Sequence, residues 1–508
     1  MAVSRRALLR GALGSLALTG AGLGGRAVQA AGALTSRNVP GRGRSYKVLE
    51  IYFAGAPAHR ETFWVEQPDE LPVNRGLGSL DPLNEALLAS GAPGDWTQWL
   101  LGRGDWLNSA YRVGTAGSRS VHLGPGFAPL VEPDGLGRRL ADRLRVVAMG
   151  HDIEPHEGAH PLTILGERGR NPNDAAFSVA PVLHRHSGKL SFCLYDSAMA
   201  DARYVAQYTG FTGPHGTRYS PVALAFDNAQ ALAQLSGSRI PERDALLEHY
   251  RTAFGAGLEY GYPTAVGSRA RSTATTAYDA ALEAALATPR FSSALGRLTA
   301  STGASLWDNG SRRAIQAAVE LLQGGLSQYI CVADAGVIGD SFGANSRYDS
   351  HNVSDATRHA AIHTGNFLNV LRTLRDEVDA GRLDLDDTLV VLNCEFGRYY
   401  ARGGTEHCHR GYAIGLLGGP VQARGLQGDL PFTATDDGMA FERSQPAWAT
   451  GSPRGGRALG PPDLRAAVLQ AAGVHPFQTD VYDADDTSAS PGQSRDDAAD
   501  QLATFFFG

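Results

Sequence analysis

Short apolar runs punctuate this chain at residues 46–53, 144–149, 190–194, 327–332, 388–393 and 413–417. They are rich in Val, Ile, Leu and Tyr and too short for helices, so each predicts a buried strand. Between them lie segments with helical spacing, at residues 136–143, 174–186, 241–254, 277–287 and 311–323. The clearest helical stripe begins near Ser354, where Ala360, Phe367, Val370, Leu371, Leu374 and Val378 fall on one face. Residues 75–130 have no clear period. Alternation of apolar strands with amphipathic helices predicts an α/β fold, a mostly parallel sheet with helices on both faces.

Polar residues gather where those strands should end. His59 and Glu61 follow the first run. His151, His156 and His160 follow the second, and Glu395 follows the run at 388–393. Ligands of open α/β sheets bind beyond the carboxyl ends of the strands, so these side chains are expected to converge. Pro155 and Gly158 favour a loop around His156 and His160.

The densest chemistry lies between Arg347 and Arg410. Asp349 and His351 are two apart before the long helix, a spacing that lets both side chains point the same way in an extended segment. Helix capping is the competing reading. Glu395 needs a partner immediately after a buried strand; Arg398 as a salt bridge competes here with a cation. His407 and His409 flank Cys408 in a Gly-rich loop. Asp349, His351, Glu395, His407, Cys408 and His409 are all possible ligands of a cation such as Zn²⁺, which takes mixed donors. Mn²⁺ and Ca²⁺ are the alternatives. Arg398, His156 and His160 are the candidates for holding an anionic substrate. Cys394 and Cys408 flank this site, and a bridge, a thiol ligand and two unrelated cysteines all stay open.

Composition narrows the function. With 508 residues, 43% hydrophobic and 19% charged, the chain reads as a globular protein. A formal charge of −6, with Lys47 and Lys189 the only lysines, offers no polybasic face for nucleic acid or anionic lipid. Ser4-Arg5-Arg6-Ala7-Leu8-Leu9, a weakly apolar stretch and Ala27-Val28-Gln29-Ala30 read as a twin-arginine signal peptide over residues 1–30. Its removal deletes four arginines and no acid, taking the charge to −10. No segment reads as membrane-spanning. The expected organisation is a leader at 1–30, one α/β domain at 31–479, and an acidic, mobile tail at 480–508. The destination is the periplasm or the exterior.

Four motifs occur in order: Gly55-Ala56-Pro57-Ala58-His59-Arg60-Glu61-Thr62-Phe63, Tyr348-Asp349-Ser350-His351, Cys394-Glu395-Phe396-Gly397-Arg398 and Gly404-Thr405-Glu406-His407. Together they resemble the twin-arginine-exported family called domain of unknown function 1501, which looks like a branch of the alkaline phosphatase and sulfatase superfamily. The resemblance implies an alkaline-phosphatase-like fold, with Asp349, His351, Glu395 and His407 as ligands of one or two divalent metals. It also implies a hydroxyl or thiol nucleophile near the end of the first strand. The usual family loop reads Gly-Gly-Pro-Ser-His-x-Asp-Thr-Phe; here the serine position is Ala58 and the aspartate position is Glu61. Alanine cannot attack, which leaves Thr62 or a water as nucleophile.

The function expected is metal-dependent hydrolysis of phosphate or sulfate esters, on a small anionic ester or a sulfated or phosphorylated glycan. The alternative is a non-catalytic binding or structural protein of the envelope that keeps the fold, with or without the metal. A redox protein is the third reading, weakened because no flavin, haem or iron–sulfur spacing occurs.

Overall fold

A computed structural model describes residues 43–57, 62–63, 111–116, 119–166, 178–195, 200–209, 221–225, 292–299, 310–336, 348–349, 356–401, 404–408, 410–428, 432–435, 438–441, 459–479, 482–489 and 493–508, with a few residues between 245 and 253. The leader, Ala58, His59, Glu61, His351, His409 and the helix expected at 277–287 lie outside the described residues, as does most of that at 241–254.

The apolar runs become strands β1 (Lys47–Phe53), β4 (Leu144–Met149), β5 (Phe192–Tyr195), β7 (Tyr329–Asp334), β8 (Thr388–Cys394) and β11 (Tyr412–Gly418). Between and after them lie a hairpin of β2 (Arg112–Ala116) and β3 (Arg119–His122), an edge strand β6 (Val222–Ala225), a hairpin of β9 (Gly397–Ala401) and β10 (Gly404–Cys408), and β12 (Gly425–Gln427). One sheet of eight strands runs in the order β12-β4-β11-β8-β1-β7-β5-β6. Only β11 is reversed within it. The mostly parallel α/β architecture expected from the alternation is present, in a form consistent with an alkaline-phosphatase-like fold.

Among the described residues the helices of two turns or more are α1 (His156–Leu165), α2 (Val179–Ser187), α3 (Ala200–Thr209), α4 (Ser292–Thr299), α5 (Gly310–Gln323), α6 (Ala356–Asp379), α7 (Pro461–Ala471) and α8 (Arg495–Phe507). Alternation along β1 shows that both faces of the sheet are covered. Phe53 packs on Phe367 of α6, ring centroids 4.7 Å apart. On the other face Tyr52 meets α1, and Glu50 meets Arg465 of α7 at 2.6 and 2.8 Å.

Three expectations are corrected. His156 and His160 lie on a helix, not a loop: Pro155 is its N-cap, where proline is tolerated, and a Cβ on Gly158 would meet Ile153 at 2.7 Å. His407 sits opposite Arg398 in the β9–β10 hairpin rather than in an open loop. The expected mobile tail ends in α8, which buries Leu502, Phe506 and Phe507. Its acids Asp496 and Asp497 occupy the first turn, where the helix dipole favours them, and Arg145 Nε donates to the Phe505 carbonyl at its other end (3.0 Å). Among the described residues no helix is long and apolar enough to cross a membrane. No disulfide forms: Cys193, Cys331, Cys394 and Cys408 are all buried and unbridged.

Candidate metal centre

Because β1, β4 and β8 run in the same direction, their carboxyl ends open on one edge of the sheet. The segments that leave them carry the site. Gly55, two residues beyond β1, has φ +106°, and a Cβ there would lie 2.5 Å from the Asp349 backbone nitrogen. Only glycine fits this approach. Ala56 follows at φ +63°, the left-handed region that costs a side chain energy, and it is fully buried.

Arg398 holds this turn from below. Its buried guanidinium donates through Nε to the carbonyls of Gly55 and Ala56, both at 2.9 Å, and through Nη2 to Asp349 Oδ1. Burial lowers the pKa of this guanidinium, and the Asp349 charge opposes the effect.

Glu395, just after β8, is completely buried. Its Oε1 accepts from the Gly55 backbone N–H at 2.7 Å and pairs with His156 Nδ1 at 2.9 Å. Its other oxygen, Oε2, has no hydrogen-bond partner among the described residues. The carboxylate therefore meets His156 and the β1 turn, while the carboxylate partner of Arg398 is Asp349.

His156 joins the two acids. Its Nε2 lies 3.1 Å from Asp349 Oδ1, and its ring packs against His407 and Phe396 with centroids 4.4 and 4.8 Å away. Burial alone would lower its pKa. The hydrogen bonds and charges of Asp349 and Glu395 outweigh burial and push it up to about 10.

The neighbouring histidines are oriented by backbone carbonyls. His407 Nδ1 is 2.9 Å from the Glu154 carbonyl, which can only accept, so Nδ1 carries the proton. Metal-binding imidazoles are commonly held in this way, with Nε2 as the donor. His151 Nε2 donates to the Glu395 carbonyl at 2.6 Å, and its Nδ1 accepts from Ile153 N at 3.2 Å, so it braces the Glu395 backbone. His363 stacks edge-on against Tyr348, the residue before Asp349, at 5.4 Å.

Among the described residues two overlapping groups bring possible ligand atoms within 4.8 Å of one another: His156, Asp349 and His407; and His156, His160 and Glu395. The structure thus gathers Asp349, Glu395, His407, His156, His160 and Arg398 at one edge. His351 lies outside the described residues. Asp201, in the first turn of α3, was missed; its Oδ1 lies 3.6 Å from His160 Nε2. A lone Asp at a helix start reads as a dipole partner, and nothing in its spacing separates the two roles.

These donors fit a divalent cation. They are carboxylate and imidazole groups, and one buried carboxylate oxygen has no partner among the described residues. No protein-family model matches the chain, and no curated protein matches it.

Proposed function

We propose that this chain is an exported, metal-dependent hydrolase of phosphate or sulfate esters, acting on a small anionic ester or a sulfated or phosphorylated glycan. The observation that carries this reading is the buried Glu395 carboxylate, with one oxygen unpartnered among the described residues, in an imidazole and carboxylate cluster at the carboxyl edge of a mostly parallel sheet. Nitrogen and oxygen donors of this kind suit Zn²⁺ first, with Mn²⁺ or Ca²⁺ as alternatives. Asp349, Glu395 and His407 supply donors, His156 lies among them, and His351 joins them by the family resemblance. A divalent cation there would polarise an ester oxygen and acidify water at neutral pH.

The nucleophile in this reading is water. Ala58 stands at the usual serine position, and Thr62 is fully buried. Arg398 is a positioning residue, because its Nε and Nη2 already serve the β1 turn and Asp349. Export rests on Arg5-Arg6 and the cleavage motif ending at Ala30.

Ala58 also favours a second reading, a non-catalytic envelope protein that retains the metal. Elemental analysis and a screen of phosphate and sulfate esters, on wild type and Glu395→Gln, separate the two. Stoichiometric metal and hydrolysis in the wild type, both lost in Glu395→Gln, support the hydrolase. Metal without hydrolysis supports the second reading. A wild type that takes up no divalent metal when loaded rejects both.

A further inference from the structure

Asp334 is the last residue of β7, beside Phe53 at the carboxyl end of β1, and it is buried. A carboxylate is costly in such a place unless donors surround it. Here three do. Ser311 Oγ, in the first turn of α5, and the Gly336 backbone N–H donate to its Oδ1 at 2.6 and 3.2 Å. Tyr348 OH donates to its Oδ2 at 3.0 Å. None of these atoms belongs to the candidate metal centre.

Tyr348 links Asp334 to that centre. It is fully buried, and its ring stands edge-on to Phe53 of β1 and to His363 of α6, with centroids 5.8 and 5.4 Å away. Its backbone N–H donates to the Ala335 carbonyl at 3.4 Å. Gly336, at φ +79°, lets the chain leaving β7 pass close by. A Cβ there would lie 2.7 Å from Asn366 Nδ2 and 3.1 Å from the Tyr348 nitrogen. The next residue is Asp349, whose backbone nitrogen crowds Gly55. Its Oδ1 accepts from Arg398 and lies 3.1 Å from His156 Nε2. The Tyr348-Asp349 dipeptide is thus held between the ends of β1 and β7, with the Tyr348 hydroxyl as its polar anchor. Phenylalanine would fill the same space between Phe53 and His363, so packing alone asks for neither the hydroxyl nor the buried acid that receives it. The hydrogen bond adds direction, because it fixes the depth and orientation of a ring that apolar contacts alone leave free to slide.

We infer that Asp334 and Tyr348 are positioning residues for Asp349, setting where its carboxylate stands toward a bound cation. The inference rests on the metal-dependent reading above and adds to it a support at the end of β7. Residues that hold a ligand in place govern affinity and geometry without touching the metal. Ser311 bonds the same carboxylate from the α5 side, so it separates this role from general support of the core.

The test uses the full chain, stripped with a chelator and titrated with Zn²⁺ alone against a chromophoric competitor. A second titration uses Co²⁺, whose visible absorption reports ligand geometry. Thermal unfolding of each metal-free variant is followed in parallel. Tyr348→Phe should weaken Zn²⁺ binding about tenfold at unchanged stoichiometry and shift the Co²⁺ absorption. Asp334→Asn keeps the shape, removes the charge and should act in the same direction. If either variant fails to fold, the other carries the test. Ser311→Ala should lower the metal-free melting temperature yet leave Zn²⁺ affinity and the Co²⁺ spectrum as in the wild type. Wild-type affinity and spectrum in Tyr348→Phe and Asp334→Asn, with binding lost in Glu395→Gln, overturn the inference and leave the metal-dependent reading standing. An equal loss of affinity in Ser311→Ala also overturns it, since the network would then support the core without aiming Asp349. A wild type that binds neither ion overturns both. Ester hydrolysis is scored separately and bears only on the proposed function.

Discussion

At the scale of single residues, Gly55 does three things at once. Its N–H donates to Glu395, its carbonyl accepts from Arg398, and its missing Cβ leaves room for the Asp349 backbone. Gly55→Ala would force a side chain into φ +106° and against that backbone. We predict a loss on the order of 3 kcal/mol, read from urea unfolding, together with reduced divalent-metal uptake. Unchanged stability and uptake would mean that the turn relaxes without cost. The sequence made the glycine and the acids visible but not the role of Arg398. An arginine three residues after a glutamate reads as its ion-pair partner. Only the hairpin, which turns Arg398 under the β1 loop, gives it to Asp349 instead.

At the scale of elements, β1 and α7 are joined by a buried network that the sequence did not reveal. Glu50 lies mid-strand, where an apolar residue is expected, and accepts from Arg465 at 2.6 and 2.8 Å, Tyr329 at 2.5 Å and Asn393 at 2.9 Å. Burial raises its pKa, but Arg465 and the other hydrogen bonds outweigh that, so it lies below the ordinary carboxylate value. A lowered folded-state pKa means stability that is present above the unfolded value and lost as pH falls through the folded one. Glu50→Gln leaves Arg465 buried without its charge partner. It should cost about 3–5 kcal/mol at neutral pH and flatten the decline in stability on acidification. Urea midpoints measured from pH 7 to 3 check both parts; parallel wild-type and mutant curves would exclude a role for Glu50 ionisation. Central strands were legible because burial on both faces demands continuous apolar runs. The β9–β10 hairpin and α8 were not, since glycine and aspartate mark loops as readily as they mark a hairpin or a helix's first turn. The signal missed in the tail was Phe505-Phe506-Phe507, too apolar for a mobile end. Deleting residues 495–508 uncovers the apolar surface against which Leu502, Phe506 and Phe507 are buried, so the truncated chain should unfold several degrees lower or express insolubly. A melting temperature equal to that of the full chain would show that α8 is dispensable.

At the scale of the whole molecule, strand direction explains why distant motifs meet: residues 55, 151–160 and 395 all leave one edge of the sheet. That convergence could be read from the alternation of strands and helices. Which imidazole faces which acid depends on tautomers and hydrogen-bond chains, and these exist only in three dimensions. The same architecture bears on export. Glu395 and His160 are fully buried, so a cation held by them would be bound by the folded chain and released when it unfolds. A route that carries folded proteins with their cofactors in place suits such a site, and Arg5-Arg6 is the pair by which that route would recognise this chain. Changing both arginines to lysine keeps the charge and removes the recognition element. We predict that the double mutant stays inside the cell at full length, with the metal content of the folded wild type and resistance to protease. Normal processing to a new terminus at Ala31 would show that the leader does not depend on the arginine pair. Retained protein lacking metal would instead place cation loading after export.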